Sequence, residues 1–154
     1  MLSVKPLRQK PNFCGVASLK MVLDYFGCDI SEKKLIELTG ATPQKGTSGM
    51  AMKAAAEALR FSATIKDRAD FKDIQLWLAK KVPPIVDWFH EGDGHYSVAV
   101  ALDKNYIFLQ DPEIAGIRKI KRADFKRVWF DFEGDFMCTK NDLILRRLIV
   151  IAKK

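Results

Sequence analysis

Residues 14–26, CGVASLKMVLDYF, place the strongest constraint on what this chain can fold into. At 3.6 residues per turn, Val16, Ala17, Leu19, Met21, Val22, Leu23, Tyr25 and Phe26 give an apolar surface broken mainly by Lys20 and Asp24. A helix of this kind must be covered on several sides. The spacing therefore predicts a buried central helix, stopped by Gly27, with the rest of the chain arranged around it.

The elements that could cover it change texture along the sequence. Ser31 is a candidate N-cap for a second helix running through Leu38, with Leu35, Ile36 and Leu38 on its apolar face. TSGMAMKAAAEALRF predicts a third, and Asp70 to Lys80 a fourth that ends before Pro83 and Pro84. Beyond the prolines, PIVDWF, HYSVAVAL, YIFLQD, GIRKI and LILRRLIVIA are short apolar or alternating runs separated by EGDG, DKN and PEIAG. They read as an antiparallel sheet, with one further short helix in ADFKRVWF. Helices first and strands second predict an α+β chain of N-terminal helices packed on a C-terminal sheet. At 154 residues, 1–154 is expected to be one domain.

Charge and cysteine content exclude several roles. Lys and Arg exceed Asp and Glu to give a net charge of +7, yet the basic residues are dispersed and no nucleic-acid motif accompanies them, so nucleic acid is not expected as a partner. The start, MLSVKPLRQK, lacks a signal-peptide core, and LILRRLIVIA is interrupted by Arg146 and Arg147, so no membrane span is expected and the expected address is cytoplasmic. Cys14, Cys28 and Cys138 form an odd set without CxxC spacing, which predicts reduced thiols and neither disulfides nor a zinc site.

Free cysteine is commonly core, but Cys14 opens the apolar helix, where unpaired N–H groups and a positive dipole end favour a thiolate. Gly15 beside it would leave room for a substrate backbone, and the free N–H groups would suit a developing oxyanion. A nucleophilic thiol needs a base and a group that orients the base. The chain has two histidines. His90 falls in a hairpin tip, where a solvated role is ordinary; His95 enters a strand directly after Gly94, a fixed position that suits a general base. Asp111 closes the next strand before Pro112. The hairpin joined at DKN should bring it to the same end as His95. Taken singly, a structural histidine and an Asp-Pro turn explain these two residues about as well.

Four stretches in order, Gln9 with CGVASLKMVLDYFG, KGTSGMAMKAAAEALRF, GHYSVAVAL and QDPEIAGIRKIKRADFKRVW, resemble the bacteriocin-processing cysteine peptidases of the papain-like superfamily over nearly the whole chain. The resemblance implies a papain-like fold and a hydrolase acting on a peptide or protein substrate. Cys14 would be the nucleophile, His95 the base, Asp111 its orienting group and Gln9 an oxyanion donor; this chemistry needs no metal or cofactor. Gln9 stands five residues before Cys14, one fewer than the family pattern, and Phe13 occupies a position that is commonly acidic. Many family members precede an ABC exporter and cut a leader after Gly-Gly. A chain without a span then looks like a stand-alone relative serving a separate exporter. Gly15, Gly49, Met50 and Gly94 are candidates to line the peptide cleft. A catalytically inert peptide-binding module and a transglutaminase-like acyl-transfer enzyme remain the alternatives.

Overall fold

The computed structural model describes every residue, Met1–Lys154. The expected central helix is α1, Cys14–Tyr25, in which every position from Gly15 to Leu23 except Lys20 is buried. It is followed by α2 (Glu32–Thr39), α3 (Gly49–Ala58), β1 (Phe61–Lys66), α4 (Phe71–Ala79), β2 (Ile85–His90), β3 (Asp93–Leu102), β4 (Tyr106–Asp111), β5 (Gly116–Lys121), α5 (Arg122–Val128), β6 (Phe130–Asp131), β7 (Ile144–Leu145) and β8 (Arg147–Lys153). The caps obey local chemistry. Ser31 and Ser48 accept the Lys34 and Ala51 amides, Asp70 closes a capping box with Asp73, and Gly40 ends α2 at φ 68°.

Six strands form one antiparallel sheet in the order β1-β8-β2-β3-β4-β5, and β6 pairs with β7 in a separate ribbon. One face of the large sheet is covered by α1 and α3, through a core that includes Leu19, Leu23, Met52, Ile85, Val98 and Ile149. The opposite face is covered by α4 and α5, with Ile74, Val86, Trp88, Leu109, Phe125 and Trp129 in its core. Burial on both faces explains why the strands read as nearly continuous apolar runs.

Two features depart from the sequence reading. The third helix stops at Ala58, Arg60 turns at φ 69°, and Phe61 opens β1 rather than closing the helix. Strand β1 thus sits among the helices in the chain, and its partner is β8, with Phe61 opposite Lys153. The LILRRLIVIA run is two strands, because Arg146 adopts φ 46° and breaks it between β7 and β8.

Candidate active site

Cys14 is half-buried at the first position of α1, and no side chain caps that helix start. The preceding loop is fixed from two sides: Asn12, at φ 64°, donates its side-chain amide to the Pro43 carbonyl at 2.5 Å, and Phe13 N–H reaches Lys10 O at 2.9 Å. Cys14, Cys28 and Cys138 are all free thiols.

His95 comes from β3 and is 5% exposed; Asp111, the last residue of β4, is fully buried. The two strands pair Val98 with Gln110, which puts Asp111 opposite Ser97 and one same-face step from His95. This register depends on a bulge between Ala99 and Ala101, which gives β3 one extra residue. His95 Nε2 lies 2.9 and 3.0 Å from the two Asp111 oxygens, which leaves Nδ1 outside that contact. No Sγ–Nδ1 hydrogen bond of standard geometry forms, although the sulfur is close enough to act on the ring's charge. Burial alone would lower the His95 pKa. The Asp111 hydrogen bond and then the adjacent Cys14 outweigh it and push it up to about 9.

Asp111 also accepts the Ser97 hydroxyl at 2.8 Å, the Glu113 N–H at 2.8 Å and Arg118 Nε at 2.7 Å. Burial works against its charge, but the His95 contact, Ser97 and the Glu113 amide bring its pKa down to about 2. Trp88 donates to Ser97 at 3.0 Å and presents its ring edge-on to His95 at 5.6 Å. Ser97, Trp88 and Arg118 were not among the residues expected at the site. Ser97 and Trp88 were accessible to period-two reasoning, since each shares the face of His95, whereas Arg118 lies on β5 and nothing in its local sequence marks it.

The other candidates divide. Gln9 is tied by its main-chain N–H to Pro112 O at 2.9 Å, next to Asp111, and its buried Oε1 finds no donor. Gly94 precedes His95 and lines a cavity with Phe89 and Phe132; a β-carbon there would collide with the Asp131 carboxylate. The expectation for Gly15 needs correction. The space beside it is filled by the Thr47 methyl, Tyr96 and Met52, so its missing side chain serves helix packing rather than substrate access. Gly49 is likewise buried against Ile149 and Arg147, and Met50 projects into solvent at 62% exposure; neither lines the cavity beside His95. His90 is more enclosed than a hairpin tip suggests. Its ring lies 5.7 Å from that of His95, and its Nε2 lies 3.4 Å from Glu113.

A thiol at a helix N-terminus and a carboxylate-held imidazole, set on a helix-flanked antiparallel sheet, define a papain-like architecture. Solved structures agree on the fold. The peptidase domain of Streptococcus ComA, described as a bi-functional ABC transporter involved in quorum sensing, superposes with a TM-score of 0.76 at 23% identity, covering 98% of this chain and 99% of that one. A double glycine motif protease from an AMS/PCAT transporter, solved with its leader peptide, superposes at 0.73 and 18% identity over 97% and 91% of the two chains. Residues 6–133 match the model of the peptidase C39 family, and the chain belongs to that family. Among curated relatives, the lactococcin-G-processing and transport ATP-binding protein LagD of Lactococcus lactis subsp. lactis is 30% identical over 125 residues, which are 79% of this chain and 17% of that protein. The chain thus spans about a sixth of the length of such transporter relatives. No helix is long and apolar enough to cross a membrane.

Proposed function

We propose that residues 1–154 form a cysteine peptidase that cuts a peptide after small residues such as Gly-Gly, and that Cys14, His95 and Asp111 are its catalytic triad. The observation that carries this reading is the His95 ring, bonded through Nε2 to Asp111 at 2.9 Å with Cys14 near enough to act on its charge. His95 takes the Cys14 proton through Nδ1, and the thiolate attacks the scissile carbonyl. The oxyanion that forms is held by the Cys14 N–H together with the Gln9 side-chain amide. The imidazolium then protonates the leaving amine. Water, deprotonated by His95, hydrolyses the thioester and releases the acid product and the free thiol. Asp111 keeps Nε2 protonated throughout and stabilises the imidazolium, the task of the third member of such triads.

The small-residue preference is supported by the likeness to a double glycine motif protease and by the tight Gly94–Asp131 contact next to His95. The transporter relatives favour a leader peptide as substrate and a separate ABC exporter as the functional partner. The test is twofold. Wild-type protein should cleave a Gly-Gly leader peptide, and Cys14→Ala should lose turnover while keeping its circular dichroism spectrum. Iodoacetamide at pH 6 should alkylate Cys14 faster than an ordinary thiol, and His95→Ala should slow that reaction. Cleavage retained by Cys14→Ala would refute the assignment.

A further inference from the structure

Asp87 is the most heavily buried acidic side chain that the triad chemistry leaves unused. It is 1% exposed, and no protein N–H or O–H reaches either of its oxygens. On β2 it pairs with Tyr96 of β3, and the next same-face pair along the two strands is Phe89 with Gly94. Over Gly94 lies the carboxylate of Asp131, which also contacts Asp87. Cys14 is close enough to Asp87 to act on its charge. Outward from Gly94 opens a cavity of about 240 Å³ walled by Phe89, Phe132, Asp93 and Asp135. A row of four carboxyl groups thus runs from beside the sulfur to the surface.

Nothing in the chain neutralises that row. Asp87, Asp93, Asp131 and Asp135 make no salt bridge, in a protein whose net charge is +7. The nearest cation, Arg147, is committed to Asp67 at 2.7 and 2.9 Å. Burial, and then the neighbouring Asp131, push the Asp87 pKa well above the usual carboxylate range. Burying two acids without a counter-charge is destabilising, and apolar residues of similar volume would serve the fold better. The cleft also has an aromatic wall suited to an alkyl stem, since Phe89 stacks on Phe130 at 5.0 Å and on Phe132 at 5.4 Å.

We propose that the cleft beside Gly94, walled by Asp93 and Asp135 and backed by Asp131 and Asp87, is a subsite for a lysine or arginine side chain of the peptide substrate, next to the bond that Cys14 attacks. This rests on the peptidase reading for its place in the reaction, but not for the binding itself. The cation supplies the charge that the row lacks, and its alkyl stem packs against the phenylalanine side chains. Specificity would then combine a narrow passage at Gly94 with a charged residue beyond it.

The experiment uses the full chain carrying Cys14→Ala, titrated by fluorescence anisotropy with decapeptides that have Gly-Gly at their centre. A single lysine is walked through every other position, with norleucine at the same position as the neutral control. One position should bind at least tenfold tighter as lysine than as norleucine. That preference should fall to threefold or less in Asp131→Asn and in Asp135→Asn. Equal affinity for lysine and norleucine at every position, absence of binding included, overturns the proposal, and so does a preference that survives both variants. The lysine–norleucine comparison needs no acidic variant to fold. Failure of the peptidase reading looks different: wild-type protein would leave these peptides uncut while the lysine preference persisted.

Discussion

Asp111 accepts hydrogen bonds from His95, Ser97, Arg118 and the Glu113 amide, so it is a structural hub as well as the orienting group of the proposed triad. Asp111→Asn keeps its size but presents an amide that can donate to the His95 ring, favouring the wrong tautomer. Peptide cleavage is expected to fall by roughly a thousandfold or more, and the His95 pKa, followed by NMR, should drop from about 9 toward 6.5. An unchanged titration would mean that the carboxylate is not what holds the imidazolium. Gly94→Ala tests the neighbouring contact. The new methyl must displace the Asp131 carboxylate, costing roughly 1–3 kcal/mol as overpacking does, and thermal melts together with the Michaelis constant for a Gly-Gly peptide would report it. Among individual residues, Cys14, His95 and Asp111 could be picked out from their places at element ends. Of the residues around them, Ser97 and Trp88 follow from strand alternation, but Arg118 and Asp131 do not. Arg118 reaches Asp111 across a strand pair, and Asp131 reaches Asp87 from a ribbon, β6–β7, whose strands are only two residues long.

Among the elements, helices were the most legible. The apolar stretch of α1 and the side-chain caps Ser31, Ser48 and Asp70 are local signals, and α1 to α4 each start where such a signal lies or next to it. The strand that escaped notice, β1, is six residues following directly on an alanine-rich helix, and what makes it a strand is β8 at the far end of the chain. Pairing over that separation leaves no local mark beyond the alternation of FSATIK itself. The bulge at Ala99–Ala101 was equally hidden, yet it sets which β3 residue Asp111 meets. Helix α4 allows a clean test of element independence. It packs on the sheet face that carries Trp88, but its cap, Asp70, bonds only within the helix start, so Asp70→Ala should cost about 1 kcal/mol of stability through its lost cap while kcat/KM stays within twofold. A large activity loss would show that this helix start is coupled to the His95–Asp111 pair.

For the whole molecule, the His95–Asp111 pair ties stability to pH. The His95 pKa is raised, so its contribution is complete below 6.5 and is lost as pH rises through about 9. The Asp111 pKa is lowered, so its contribution is complete above 3.8 and is lost as pH falls through about 2. The Tm difference between wild type and Asp111→Asn should therefore be widest between about pH 4 and 6.5 and shrink on both sides; a difference independent of pH would disprove the linkage. Comparing against the variant cancels the opposing effect of Asp87, whose raised pKa favours folding at low pH. Sheet order sets a second global property, because β8 lies between β1 and β2 rather than at an edge. Deleting residues 147–154 should abolish cooperative unfolding altogether, whereas loss of an edge strand would only lower the midpoint. The same placement fixes a timetable for the growing polypeptide. Ribosomes extend chains at about 5–20 residues per second, and until residues 147–153 emerge, the layer carrying the imidazole has a gap in its middle. A nascent copy therefore stays unassembled until β8 has emerged, and only then can the sulfur gain its partner.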